Sequence, residues 1–272
     1  MEWKNIYRGF LMGASDVIPG VSGGTIALLL GIYDRLISAI NGLFSKDWKK
    51  QLSFLIPLGL GIAIAIFSLS KLIDWLLEHY PAPVHFFFLG LILGVLPYLF
   101  TQAKVKETFK FNHYLILIVG AVLIGSINFL DPSSGQAIIE NRSTGIYVFL
   151  FFSGFLASAA MILPGISGSM ILLVIGSYHT IINAVHNLYL DVILVTGLGI
   201  AIGILVMSRL IAYFLEKFHT GTFACVIGFV IGSLVIVFPG WPESSGIVIV
   251  SVVTFAAGLF IAYVLGKVEY ES

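Results

Sequence analysis

The chain has 272 residues, of which 58% are hydrophobic and only 10% are charged, and its formal net charge is zero. A soluble domain carries about a quarter charged residues, so this composition, with a mean hydropathy of +1.04, excludes an ordinary soluble protein. Apolar runs of bilayer-crossing length recur along the chain and predict an all-α polytopic membrane protein. The zero net charge gives no indication of nucleic-acid binding, and no hydrophilic segment is long enough for an ATPase module.

The first predicted element is an apolar segment at about 6–40 that is broken by the hexapeptide PGVSGG at 19–24. Proline removes a backbone donor, and glycine permits left-handed backbone and close approach of a ligand. One half-helix is therefore predicted to end at the hexapeptide, and a second is predicted to start at residues 22–25. Three apolar runs follow, at about 52–79, 84–101 and 112–130.

The second half of the chain repeats the first. A shift of 145 residues places 9–39 on 154–184, and a shift of 138 residues places GLGIAI at 59–64 on GLGIAI at 197–202. We therefore predict a single transmembrane domain over 1–272, made of one repeat at about 1–142 and another at about 143–272. The second broken segment falls at 146–186, and its apolar runs fall at 190–217, 222–239 and 246–266.

The distribution of lysine and arginine predicts the topology, because these residues favour cytoplasmic loops. Basic residues lie on both sides of the first broken segment, whereas the stretch from His186 to Asp191 after the second has none. We predict that each broken segment is re-entrant, that the other six runs span, and that the halves form an inverted-topology repeat with both termini cytoplasmic. Transporters of this architecture place their site near the midplane. The rival interpretation is that the broken segments span fully, which would make the halves parallel.

The two breaks have the features of an anion site. The free N–H groups and the positive dipole end of a half-helix attract anions, and Ser22 and Thr25 add hydroxyl donors. Residues 167–169 are expected to present a like end from the opposite side. The alternative is a tightly packed kink that uses glycine and serine as small contact residues. Helix packing is also the predicted role of the small-xxx-small pairs Gly90, Gly94, Gly228 and Gly232.

A few charged residues within the apolar segments are candidates for a functional or structural role. A carboxylate there costs roughly 2.5–3.5 kcal/mol, so Asp16 is expected either to couple transport to a proton or cation or to hold the loop by accepting its N–H groups. Arg35 is a candidate phosphate partner, or it snorkels or pairs with Asp34. Lys71 and Arg209 occupy matching positions and either snorkel at helix ends or guide a headgroup. We predict no metal site, no cofactor and no catalytic residues.

The sequences MGASDVIPGVSGGTIALLLGIYDRLI at 12–37 and ILPGISGSMILLVIGSY at 162–178 resemble those of the PopT family, whose members are bacterial and archaeal membrane proteins associated with undecaprenyl phosphate translocation. The resemblance covers essentially the whole chain. It implies a flippase in the cytoplasmic membrane that returns undecaprenyl phosphate, or a related polyprenyl phosphate, to the inner leaflet for reuse in envelope polymers. The substrate site implied by these motifs comprises Ser15, Asp16, Pro19, Gly20, Ser22, Gly23, Gly24, Thr25, Pro164, Gly165, Ser167, Gly168 and Ser169.

Two other functions remain open from the sequence. The hexapeptide PGISGS is similar to the PGxSRS loop of membrane undecaprenyl pyrophosphate phosphatases, which use an arginine to stabilise the transferring phosphoryl group. Gly23 and Gly168 stand where that arginine would be, and no paired glutamates accompany either loop. The second alternative is a channel or secondary transporter for a small soluble anion, because chloride channels also use Gly-Ser half-helix ends.

Overall fold

A computed structural model describes residues 1–18, 20–129, 138–139 and 141–270. Within these residues every regular element is helical, and six helices are long and apolar enough to cross a membrane. The chain is therefore an all-α polytopic membrane protein, as its composition predicts. The α-helices in chain order are α1 Asn5–Asp16, α2 Gly23–Leu29, α3 Tyr33–Asn41, α4 Trp48–His79, α5 Pro81–Gln102, α6 Val105–Thr108, α7 Phe111–Ser126, α8 Thr144–Ile162, α9 Gly168–Ile175, α10 Tyr178–His186, α11 Leu190–Lys217, α12 His219–Val237 and α13 Ser245–Tyr270.

The six helices long enough to cross a membrane are α4, α5, α8, α11, α12 and α13. Five of them match runs that were predicted to cross, but α8 takes the place of the run at 112–130. Helix α8 belongs to the second broken segment, and its 19 residues extend about 28 Å at 1.5 Å per residue, close to the hydrocarbon thickness of a bilayer. The run predicted at 112–130 forms only the 16-residue helix α7, followed by a 3₁₀ turn at Ile127–Phe129.

Close glycine contacts join α1 to α4 in the first half. Gly9 lies against the backbone of Leu58, and Gly13 lies against Ala65 one turn or more further along both helices. Before α1, the N–H of Glu2 donates to the carbonyl oxygen of Ser53 at 3.1 Å. Since the contacts advance together along the two helices, α1 and α4 run in the same direction and begin at the same face.

The second half repeats this packing between α8 and α11. Gly154 lies against Thr196, and Gly203 lies against Ser158. These are the same contacts as in the first half, moved by the shifts of 145 and 138 residues that align the sequences. Helices α8 and α11 therefore also run in the same direction.

The remaining long helices exchange partners between the halves. Gly90 of α5 lies against the carbonyl of Phe255 in α13, and Gly228 of α12 lies against the carbonyl of Leu117 in α7. The third run of each half thus packs against the fourth run of the other half, and the two contacts correspond under the 138-residue shift. The predicted packing role of Gly90 and Gly228 is confirmed.

Both ends of the described chain lie at one face of the protein. Arg8 near the start of α1 forms an ion pair of 2.5 Å with Glu269 near the end of α13, and the hydroxyl of Tyr7 donates to the same carboxylate. Helices α4 and α7 begin at this face, and α5 and α11 end there. We call it the basic face because it carries Lys46, Lys49, Lys50, Lys104, Lys106, Lys110, Lys217 and Lys267.

The α1–α4 contact leads to a stability prediction with a control in the same helix. A Cβ atom at Gly61 would overlap the carbonyl group of Ile6, whereas one at Gly59 would meet nothing within 4 Å. Gly61→Ala should destabilise the protein by about 1–3 kcal/mol through overpacking, and Gly59→Ala should be neutral or stabilising because alanine favours the helix. Thermal unfolding in detergent measures both changes. Equal melting temperatures for the two variants would contradict the packing described.

Candidate functional site

The two breaks have nearly the same backbone. Helices α2 and α9 begin directly after Ser22 and Ser167, which have extended backbone angles of φ −117°, ψ 129° and φ −95°, ψ 128°. Gly20 and Gly165 adopt left-handed φ values of +86° and +84°, which glycine tolerates without strain. The prediction that a second half-helix starts at each break is confirmed. Pro164 is buried, and Pro19 lies outside the described residues.

A second bend follows each of these half-helices, and the sequence interpretation did not include it. Helix α2 meets the segment that contains α3 at 117°, and α9 meets α10 at 109°. Gly31 and Gly176 lie at the bends with φ of +63° and +83°. The bends turn α3 and α10 back toward the faces at which α1 and α8 began. The repeated pattern Gly-x-Tyr at these positions was the available signal.

Hydrogen bonds between side chains of the first half and backbone groups of the second half join the two breaks. The N–H of Gly165 donates to Thr25 Oγ1 at 2.9 Å, and Ser22 Oγ donates to the carbonyl oxygen of Leu163 at 3.4 Å. The hydroxyl of Tyr33 donates to the carbonyl oxygen of Ile162 at 3.1 Å. Side chains of the first half thereby bind backbone groups that the end of α8 leaves free. Tyr33 was not among the predicted site residues.

Thr25 provides a direct test of this connection. Thr25→Val removes the acceptor of the Gly165 N–H while nearly keeping the side-chain volume, and it should cost about 1–3 kcal/mol because a buried donor is left unpaired. Thr25→Ser keeps the hydroxyl and serves as the control. Chemical or thermal unfolding in detergent measures the difference. If valine and serine behave alike, the hydrogen bond contributes nothing to the junction.

In the first break, side chains of the protein accept the N–H groups at the start of α2. Asp16 Oδ1 accepts the N–H of Gly23 at 2.7 Å, and Ser22 Oγ accepts the N–H of Gly24 at 3.2 Å. Asp16 Oδ2 is buried and has no hydrogen-bond partner among the described residues. Asp16 thus accepts an N–H group of the loop, which is one of the two roles that the sequence suggested for it. Ser15 is also buried, and its hydroxyl donates to the carbonyl oxygen of Met12 at 2.6 Å.

The second break differs, although its sequence is similar. Met161 stands at the position that corresponds to Asp16. In the described part of the chain no group accepts the N–H of Gly168 or Ser169, and the hydroxyls of Ser167 and Ser169 lie 2.8 Å apart. Every residue of α2 is buried, whereas none of α9 is fully buried. The expectation of two like half-helix ends is therefore corrected, because only α9 begins with free donors.

The other charged candidates lie away from the breaks. Arg35 Nη1 donates to Gln51 Oε1 at 2.6 Å, its guanidinium carbon lies 4.8 Å from the centre of the Phe54 ring, and Nη2 lies 4.0 Å from the Glu2 carboxylate. Its contacts are thus with the start of α4 and the N-terminal segment. Lys71 and Arg209 are exposed, and neither forms a hydrogen bond or ion pair with any residue of the described ranges.

The fold and the joined breaks define a class, namely multi-pass membrane proteins built around two interrupted helices. Residues 12–255 match the family described as undecaprenyl phosphate translocase-like, and the chain belongs to this family. It is 41% identical over 280 aligned residues, covering 100% of this chain and 98% of the relative, to the polyprenyl-phosphate transporter of Staphylococcus aureus (strain NCTC 8325 / PS 47). The polyprenyl-phosphate transporter of Vibrio cholerae is 39% identical over 258 residues, which cover 90% of this chain and 80% of the relative. No solved structure matches the chain.

Proposed function

We propose that the protein moves undecaprenyl phosphate, or a related polyprenyl phosphate, across the cytoplasmic membrane for reuse of the lipid carrier in envelope synthesis. The observation that carries the proposal is the direct contact between the two broken helices, through Thr25 and Gly165 and through Ser22 and Leu163. Irregular backbone at membrane depth is tolerated where it lines a cavity or is buried in protein. The relatives named polyprenyl-phosphate transporters support the choice of substrate.

The arrangement of the halves supports an alternating mechanism. In our proposal the halves form an inverted repeat, with both breaks re-entrant and the basic face in the cytoplasm, as the excess of lysine there favours. The parallel pairs α1–α4 and α8–α11 and the exchanged pairs α5–α13 and α7–α12 fit this topology. Inverted halves can exchange conformations and open a shared site to one face and then to the other.

The headgroup is proposed to bind mainly at the start of α9. The N–H groups of Gly168 and Ser169, with the hydroxyls of Ser167 and Ser169, are suited to phosphate oxygens. At the start of α2 the carboxylate of Asp16 already holds the first N–H, and a second anion beside it would be repelled unless Asp16 binds a proton or moves. Asp16 is therefore proposed to make headgroup transfer depend on its charge. Most of the polyprenyl chain remains in the lipid while the headgroup is transferred.

A transport assay tests the function. Vesicles that contain polyprenyl phosphate in both leaflets are treated with a soluble phosphatase that cannot cross the membrane. With the protein present, the enzyme should consume the lipid phosphate of both leaflets, since the inner pool is carried outward. Consumption that stops at the outer pool, as in vesicles without protein, would contradict the proposal.

The same preparation tests the rival function. A channel or carrier for a small anion would give membrane current or uptake of inorganic phosphate, and the proposed translocase should give neither above the background of protein-free vesicles. Phosphate release from the lipid pyrophosphate without added enzyme would instead identify a phosphatase.

A further inference from the structure

A cavity of about 1020 Å³ opens at the basic face between α7, α11 and α12. Tyr33 and Leu163, which take part in the junction of the breaks, line its inner end. The cavity therefore connects the basic face with the proposed translocation site.

The mouth of the cavity is rich in groups that attract anions. Lys110 and His113 at the start of α7 line it together with Lys217 and His219 at the junction of α11 and α12. Two carboxylates are also close, because Glu216 lines the mouth and Asp34 interacts electrostatically with His219. His113 Nδ1 accepts the N–H of Lys110 at 3.0 Å, so its other ring nitrogen is left to donate. The parallel helices α7 and α12 both begin here, and their positive ends add to the charge of the lysines.

Deeper in the cavity the wall becomes apolar. Ile116, Leu210, Phe214 and Phe229 line this part. Leu210 and Phe214 of this wall are 45% and 41% exposed, as a wall that opens sideways toward the membrane requires. A basic mouth next to an apolar, laterally open wall is complementary to a lipid with an anionic head.

Among the described residues, the positions of the other half that correspond to the mouth lack its lysines. Under the 138-residue shift Lys110 corresponds to Val248, Lys217 to His79, and His219 to Pro81. The cavities found there include one of about 640 Å³ lined by apolar residues such as Leu93 and Phe238, and a smaller one of about 360 Å³ lined by Arg142. Lys110 and Lys217 therefore do not arise from the repeat, because the corresponding positions of the other half carry no lysine.

We propose that this cavity is the binding site for polyprenyl phosphate at the basic face, with the phosphate at Lys110 and Lys217 and the first isoprene units along Phe214 and Phe229. The rest of the chain leaves through the lateral opening into the lipid. This inference rests on the proposed function and adds a site at which the substrate is loaded or released. Phosphatidylglycerol and inorganic phosphate carry the same anionic phosphate group as the proposed substrate, and both are therefore compared with it in the test.

The single cysteine of the chain, Cys225, lines the cavity and serves as a built-in probe. We would measure how fast N-ethylmaleimide labels it in the purified full-length protein. Undecaprenyl phosphate should slow labelling at least tenfold, while phosphatidylglycerol and inorganic phosphate at equal concentration should not. A control protein carries Cys225→Ser and Phe87→Cys, which moves the thiol to the corresponding position of the other half. Undecaprenyl phosphate should not change the rate at which this thiol is labelled.

Charge variants test the mouth by equilibrium binding. Lys110→Gln with Lys217→Gln should weaken undecaprenyl phosphate binding about tenfold, equivalent to ~1.4 kcal/mol, and should raise the lipid concentration that half-protects Cys225 by the same factor. Lys106→Gln with Lys267→Gln removes the same charge from the same face outside the cavity, and affinity should be unchanged.

The outcomes separate the site from the function. If the wild-type protein transports the lipid but Cys225 is labelled equally fast with and without it, the cavity is not the site. Equal protection by phosphatidylglycerol or by inorganic phosphate would also overturn the proposal, in favour of a general anionic-lipid site or a phosphate site. If the wild-type protein fails in the vesicle assay, the proposed function itself is wrong.

Discussion

Gly23→Ala is expected to destabilise the protein by about 2–4 kcal/mol, because it would displace a buried carboxylate from its donor. A Cβ atom at Gly23 would lie 2.6 Å from Asp16 Oδ2. Asp16 would have to move away from the Gly23 N–H, to which it is now bonded at 2.7 Å. Thermal unfolding of the purified variant in detergent measures the loss.

A double-mutant cycle isolates this interaction. In an Asp16→Ala background the atom that Gly23→Ala would strike is gone, so the added alanine should cost little. The difference between the two backgrounds should therefore approach the full effect of Gly23→Ala. The same cost in both backgrounds would mean that Gly23 is required for a reason other than its contact with Asp16.

Gly165→Ala is expected to have the second large effect, about 2–5 kcal/mol, since a left-handed backbone and a steric clash both oppose the side chain. Gly165 has φ of +84°, and a Cβ atom there would lie 2.5 Å from the carbonyl oxygen of Phe229. Movement of this residue would also break its hydrogen bond to Thr25. Lipid transport in vesicles should therefore fall together with the melting temperature.

Gly240 provides the matched control for Gly165. Its φ is +86°, yet a Cβ atom there would meet nothing within 4 Å. Gly240→Ala should cost only the left-handed conformation, about 1–2 kcal/mol, and leave transport intact. If Gly240→Ala and Gly165→Ala reduce the melting temperature equally, the close approach of Gly165 to α12 is not important for stability.

Local sequence chemistry predicted where the interrupted helices restart. Ser22 and Ser167 occupy the N-cap positions of α2 and α9, which serine favours, and only the Ser22 side chain caps its helix. Both serines lie two residues after a glycine with a left-handed backbone. The repeat itself was readable because the shifts of 145 and 138 residues keep the packing glycines in register. These features depend on neighbours in the chain or on its internal duplication.

The contacts that distinguish the two breaks were not predictable in the same way. Asp16 bonds to Gly23 seven residues further along the chain, and Thr25 meets Gly165 from the other half of the chain. Which donors stay free at α9 follows from these tertiary contacts. Lys110 and Lys217 line one cavity because α7 packs against α12 of the other half, a pairing that no local pattern indicates.

We expect the folded protein to recognise a phosphate carried on a polyprenyl chain, and a thermal titration in detergent tests this most directly. Undecaprenyl phosphate at about 100 times its Kd should stabilise the protein by about 2.7 kcal/mol. Undecaprenol and inorganic phosphate at the same concentrations should give no comparable rise in melting temperature. Stabilisation by inorganic phosphate alone, without further gain from the chain, would contradict the claim and identify a small-anion protein.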